Sequence, residues 1–166
     1  FRDPRRFGSV TWVSGDPLES QYLYHLGPEP LVDDFDGCYL YTRARGRRTA
    51  VKNFIMDGRI VVGVGNIYAS EALFRSGIRP TRAAGRIALE RYSLLVIAIQ
   101  SVLGEAIAAG GTTLRDYSRV TGEPGYFEQA LKVYARQGQP CEVCGDLINR
   151  KVIGQRASYY CPSCQH

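Results

Sequence analysis

A chain of 166 residues with an ordinary globular apolar content of 45% has room for one domain or two small ones. Its net charge of +5 is carried by 18 arginines and only three lysines, Lys52, Lys132 and Lys151. The planar fork of arginine suits phosphates and base edges, so the bias fits a nucleic-acid partner, although a GC-rich genome would leave the same mark. No apolar run approaches the length of a membrane span, and free thiols spaced for metal make a reducing cytoplasm the expected compartment.

In chain order, the start at Phe1-Arg2-Asp3 reads as the interior of a strand, so a fragment of a longer protein is expected. Residues 8–13, Gly-Ser-Val-Thr-Trp-Val, predict a strand that Gly15-Asp16-Pro17 ends, with a short helical stretch after it. Leu26-Gly27-Pro28-Glu29-Pro30-Leu31 predicts a rigid elbow and a domain boundary. Asp33 or Asp34 is a candidate cap for a helix running to about Ala44. Arg47 to Asp57 predicts a second helix with Val51, Phe54 and Ile55 on one face, stopped by Gly58. The glycines of 58–65 exclude ordinary helix, and Asn66 is the expected N-cap of a third helix through Phe74. The clearest period, Leu89, Tyr92, Val96, Ile99, Leu103, Ala106 and Ile107, predicts a core helix over about 88–109. Residues 112–126 are loop-like, and a metal-binding segment closes the chain.

That segment holds the most specific motif. Cys141-Glu142-Val143-Cys144 and Cys161-Pro162-Ser163-Cys164 are two C-x-x-C pairs separated by 16 residues, the spacing of a four-thiolate zinc site. Two disulfides or a redox pair are the alternative; the chain carries no secretory signal, and no βαβ context surrounds the cysteines. A segment this short cannot bury a core alone, so one structural zinc is expected to supply much of its folding free energy. The fifth cysteine, Cys38, is expected to be a small buried apolar residue.

Arg43, Arg45, Arg47, Arg48 and Lys52 cluster at the start of the second helix. Such a run is either a solvated face or, with the glycine-rich turn leading into a helix start at Asn66, a phosphate clamp. Val62-Gly63-Val64-Gly65-Asn66 lacks the spacing of a nucleotide fingerprint. Arg150, Lys151 and Arg156, beside Tyr159 and Tyr160, lie on an expected hairpin between the cysteine pairs; one of the tyrosines is expected to cover the metal core. Asp3-Pro4-Arg5-Arg6-Phe7-Gly8 is a loop whose aromatic ring could enter a base stack. With only His25 and His166, no serine–histidine–acid arrangement is available, and no carboxylates are paired for acid–base work.

Five separated motifs then converge. Asp3–Gly8, Leu26–Leu31, Val62-Gly63-Val64-Gly65-Asn66-Ile67-Tyr68-Ala69-Ser70-Glu71, Gly110-Gly111-Thr112-Thr113-Leu114-Arg115-Asp116 and Gly154-Gln155-Arg156, together with the four cysteines and Cys164-Gln165, resemble formamidopyrimidine-DNA glycosylase in unbroken order from Phe1 to His166. The resemblance implies a mainly α fold, with a helix–two-turns–helix over Arg47–Phe74, a C-terminal β-hairpin zinc finger and a remnant of an N-terminal β-sandwich. The implied division is 1–25 remnant, 26–135 helical DNA-binding domain with a lesion-recognition loop at 112–126, and 136–166 zinc finger. It implies a bacterial, monomeric, nucleoid-associated repair enzyme of the cytoplasm, acting on duplex DNA that contains oxidised bases or abasic sites. Such enzymes excise 8-oxoguanine and formamidopyrimidines and cleave the abasic strand by β,δ-elimination.

Residue by residue, Arg5 and Phe7 resemble the pair that fills the gap left by an everted base. Arg47 resembles a DNA-contacting basic position, Lys52 and Asn66 the residues that hold phosphates, and Tyr134 one that touches the backbone near the lesion. Arg115 stands in the closing loop where some relatives carry lysine. Arg156 resembles the finger arginine assigned as proton donor in δ-elimination and as phosphate ligand; its electrostatic role is the sounder of the two, since arginine hardly deprotonates. The family's nucleophile, an N-terminal proline, its following glutamate and a sandwich lysine have no counterpart in residues 1–166. The segment is therefore expected to bind DNA without excising bases. The alternatives are the endonuclease VIII branch, which acts on oxidised pyrimidines, and a non-catalytic zinc-stabilised DNA-binding module.

Overall fold

The computed structural model describes residue 8 and residues 10–32, 34–110 and 131–166. Asp16 caps a 3₁₀ turn over Pro17–Glu19, its carboxylate accepting from the Leu18 N–H. Four helices follow: α1 (Gly37–Ala44), α2 (Val51–Ile55), α3 (Asn66–Arg75) and α4 (Leu89–Ala108). The chain closes on an antiparallel hairpin of β1 (Asn149–Ile153) and β2 (Arg156–Tyr160).

The predicted strand at 8–13 is not formed over its described residues, Gly8 and Val10–Val13. A strand needs a neighbouring strand for its ladder, and the sheet formed among the described residues is the C-terminal hairpin alone. Trp12 is 92% exposed accordingly. The β-sandwich remnant thus finds no support in the described residues of 1–25. The elbow after it is close-packed. A Cβ on Gly27 would lie 2.5 Å from the carbonyl of Ile60, and the Gly27 N–H donates to Gly58 O at 2.8 Å. The elbow therefore clamps the glycine-rich turn from outside.

Helix α1 starts later than predicted. Its cap is Asp36, whose carboxylate accepts from the Tyr39 N–H at 2.6 Å, in place of Asp33 or Asp34. Phe35 decides this: its ring is buried beside Leu40, a hydrophobic staple that fixes where the helix begins. Gly37, Leu40 and Ala44 face inward, which leaves Cys38 exposed on the other side, contrary to its expected burial.

Helix α2 is shorter than the predicted 47–57. The segment before it pairs across the chain: Val51 N–H donates to Arg82 O, Ala84 N–H to Thr49 O and Gly85 N–H to Arg47 O. Those bonds occupy backbone that a helix would use. Val51, Phe54 and Ile55 are buried as predicted. Asn66 is the first residue of α3, and Gly65 is its cap position.

The apolar period places α4 within a residue at each end. Tyr92, Leu95, Val96, Ile99, Val102, Leu103 and Ala106 are buried against α1 and α3, whereas Ile107 at the end of the predicted stripe is 67% exposed. By length and composition alone α4 could cross a membrane, contrary to the sequence reading, but its stripe is core. The Tyr92 hydroxyl donates to Ala84 O at 2.9 Å, and burial pushes its pKa up.

Candidate metal centre and nucleic-acid interface

Each C-x-x-C pair lies in a tight turn. Gly145 N–H returns to Cys141 O, and Gln165 N–H to Cys161 O. The four Sγ atoms lie within 4.8 Å of one another, with Cys141–Cys164 at 3.9 Å and Cys144–Cys161 at 3.4 Å. Tetrahedral zinc with bonds of about 2.3 Å sets its sulfurs about 3.8 Å apart, so the donor set fits one closed structural zinc. The expected cofactor site is thus assembled in full.

The finger is stitched to the helices by its last residues. Gln165 is completely buried, accepts from Cys161 N–H at 2.9 Å and donates to Ile78 O at 2.8 Å. Phe74 of α3 enters a small apolar cluster with Val133, Cys141, Ile148 and Cys161, and Tyr159 packs on it. Tyr159 is therefore the tyrosine that covers the metal core, while Tyr160 lies under the Arg79 guanidinium at 5.5 Å.

Between the strands, Gly154 and Gln155 both have positive φ, the signature of a two-residue hairpin turn that follows the twist of its strands. Gly154 also abuts the Asn53 side chain of α2, where a Cβ would collide with the amide. The hairpin tip is thereby seated on α2, and Arg156 begins β2 beside it.

At this junction sits Lys52. Its side chain is wholly buried, and its ammonium donates to Asn66 Oδ1 at 2.6 Å, Ser158 Oγ at 2.8 Å and Ala157 O at 3.0 Å. Burial first, and then the nearby charge of Arg156, push its pKa down to about 8. Three acceptors match the three protons of an ammonium. The Lys52 ammonium, suggested by the sequence as a phosphate contact, here ties α2, α3 and β2 together. The Asn66 amide, held by Lys52 on one side, donates to the Tyr134 hydroxyl at 3.4 Å on the other. The positive end of the ten-residue α3 lies beside this group.

Sequence reasoning missed Glu71. Its carboxylate is completely buried on α3 and accepts from the N–H groups of Lys132 (2.9 Å), Val133 (3.0 Å) and Tyr134 (2.8 Å). It fixes the backbone that carries Tyr134. A glutamate flanked by Ala69, Ser70, Ala72 and Leu73, all on a buried stretch, was the available signal.

Asn66, Tyr134, Lys52 and Arg156 are therefore brought together. Arg47 stands apart in the segment before α2, its guanidinium 5.7 Å from the Phe54 ring centre. Arg5, Phe7, Arg115 and the whole of the predicted loop 112–126 lie outside the described residues, as does residue 33.

Comparison with known proteins bears on all of this. The profile of the formamidopyrimidine-DNA glycosylase H2TH domain matches residues 26–118, and that of a zinc finger found in FPG and IleRS matches 138–166. Proteins named formamidopyrimidine-DNA glycosylase from Syntrophotalea carbinolica and Alkalilimnicola ehrlichii are 61% and 58% identical to it, each over 99% of this chain. The chain spans 61% and 60% of their lengths. The crystal structure of the MutM (FPG) protein from Thermus thermophilus superposes with a TM-score of 0.90 at 39% identity, over 98% of this chain and 62% of that one. A Lactococcus lactis Fpg in complex with abasic-site DNA gives 0.79 at 32% identity, over 86% of this chain and 52% of that one.

Proposed function

The chain belongs to the formamidopyrimidine-DNA glycosylase family, and from that premise we propose that it is the DNA-holding part of a base-excision repair enzyme. The observation that carries the reading is the convergence of Asn66, Tyr134 and Arg156 at the seam of α3 and the zinc hairpin, with Lys52 as the tie beneath them. An amide, a phenol and a guanidinium at a helix N-terminus are donors suited to the phosphates of one strand. Lys52 positions this set, and Arg47 adds a contact farther along the duplex. Relatives bound to Fapy-dG-containing and abasic-site DNA support the choice of partner.

In this reading the whole protein excises 8-oxoguanine and formamidopyrimidines and cleaves the abasic site by β,δ-elimination. Arg156 stabilises the phosphate at the cleaved position; Arg5 and Phe7 fill the space of the everted base, and 112–126 with Arg115 closes over it. The amine that attacks the sugar carbon is supplied from outside residues 1–166, so this segment, read as a monomer, binds duplex without excision. The division into 1–25, 26–135 and 136–166 belongs to the same proposal.

The test is borohydride trapping on an 8-oxoguanine duplex, run beside affinity measurements. The 166-residue chain should bind and form no covalent adduct, while the same chain extended at its amino terminus by the catalytic part of a full-length relative should be trapped. Arg156→Ala should weaken binding to damaged and undamaged duplex alike and lower the slope of log affinity against log salt by about one. Trapping of the short chain, or an unchanged slope in Arg156→Ala, would contradict it.

A further inference from the structure

Residues 43–48 and 79–86 are distant in sequence and adjacent in space. Besides the three bonds that shorten α2, Lys52 N–H donates to Pro80 O at 3.3 Å, and Ala50 bridges Ala83. The paired segments carry Arg43, Arg45, Arg47, Arg48, Arg79, Arg82 and Arg86, all exposed, with no Asp or Glu in either.

Three arginines elsewhere in the fold pair with acids. Arg59 meets Asp57, Arg75 meets Glu105 and Arg136 meets Glu142. None of the seven forms an ion pair with an acidic group among the described residues, and Arg48 has no side-chain partner there at all. Arg45, Arg47 and Arg79 instead lie against the rings of Tyr41, Phe54 and Tyr160 at 5.2, 5.7 and 5.5 Å. Arg45 spends one donor on the Tyr41 hydroxyl and Arg47 one on Arg43 O, and stacking of this kind holds the rest of each guanidinium at the surface. Seven like charges gathered by tertiary pairing repel one another, and an external polyanion relieves that repulsion.

We propose that this arginine face is a second phosphate-binding surface for duplex DNA, continuous with the Asn66–Arg156 site and engaging the duplex beyond it. It goes past the single contact assigned to Arg47, and it rests on the DNA reading given above. Continuity follows from two links: Lys52 belongs to both, and Arg79 donates its N–H to His166 O while its guanidinium covers Tyr160 on β2. The surface is assigned here to phosphates rather than to base edges. Its contribution is sequence-independent affinity through counterion release.

The experiment measures binding of the zinc-loaded chain to an undamaged duplex of about 30 base pairs over a range of salt, where each phosphate contact contributes about 0.9 to the slope. The triple variant Arg48→Ala, Arg82→Ala, Arg86→Ala should lower the slope by about 2–3, against about one for Arg156→Ala. Arg59→Ala, which removes a paired arginine, should leave the slope as it is. Arg48→Glu alone should lower affinity more than Arg48→Ala, and its isolated side chain makes misfolding an unsuitable explanation. Far-UV circular dichroism and zinc content should match the parent in every variant. If the triple variant keeps the parental slope while Arg156→Ala loses its unit, the arginine face is not a DNA surface and the main site stands. If affinity falls without a change in slope, the loss is structural and the proposal fails. If the parent binds no duplex, both readings fall together.

Discussion

A buried ammonium with three acceptors is an uncommon arrangement, and Lys52 shows how a charged residue can be held inside a seam between helices and hairpin. Burial lowers its pKa to about 8 from 10.5 in the exposed chain. Between those values the unfolded state holds a proton that the folded state has released, so this group makes stability rise with pH across that window; below it, the buried charge is a constant cost. Melting temperatures of the parent and Lys52→Met, measured from about pH 7 to pH 10, should show the parent gaining relative to the variant as pH rises through about 8. A constant difference between them would mean that Lys52 does not titrate there. Glu71 is the complementary case, a carboxylate whose partners are all backbone N–H groups. Glu71→Ala leaves three donors without an acceptor and should cost about 3 kcal/mol, read as a lower urea midpoint with an unchanged m-value. Lys52 was legible as a candidate residue from its neighbours in sequence, and its burial was not. Burial depends on β2 being laid over α2 from 105 residues away, which no local pattern encodes.

Elements were legible where their cause is local. The α4 period, the glycines of 58–65 and the cysteine spacing each determine their element without reference to the rest of the chain. The errors fall where a distant segment decides. Residues 47–50 are basic and helix-compatible, yet their backbone pairs with 82–85. Asn66 is a good cap residue, yet its side chain is committed to Lys52 and Tyr134, so Gly65 occupies the cap position. The finger was legible as a metal site but not as part of a shared core, because Phe74, Ile78 and Glu71 come from the helical part. Removing zinc should therefore disorder residues 139–166 while helical circular dichroism persists, because α4 buries its own stripe against α1 and α3. Amide exchange should quicken throughout β1 and β2 and stay slow in α4. Loss of the helical signal together with the metal would show that finger and helices fold as one unit. A smaller effect belongs to the clasp of α3 on α4. Hydrogen bonding by Arg75 holds the Glu105 pKa down to about 2, so its contribution is present above about pH 4.5 and lost as pH falls from there toward 2. Being half-exposed, the pair contributes at most about 1 kcal/mol. Glu105→Gln should leave the neutral-pH melting temperature slightly lower and flatten this part of the acid limb.

At the scale of the molecule, the proposed DNA surface has two parts with different supports. Arg156 reaches it only if the hairpin is seated, and seating depends on the zinc turns, on Gly154 against Asn53 and on Lys52 beneath Ser158. The arginine face depends instead on backbone pairing between 47–51 and 80–85, which involves no residue of the finger apart from the contacts of Arg79 with Tyr160 and His166. Metal removal and mutation should thus combine in a specific way. Chelating zinc should lower the salt slope by about the one unit that Arg156→Ala removes, and the two together should remove little more, because both delete the same contact. Chelation combined with Arg48→Ala, Arg82→Ala and Arg86→Ala should be close to additive, because those losses lie on separately supported parts. The measurement is a double-mutant cycle with metal as one of its two perturbations, read by anisotropy on an undamaged duplex. Full additivity between chelation and Arg156→Ala would mean that the guanidinium reaches DNA without a seated hairpin. The tie through Lys52, Ser158 and Asn66 would then have no part in binding.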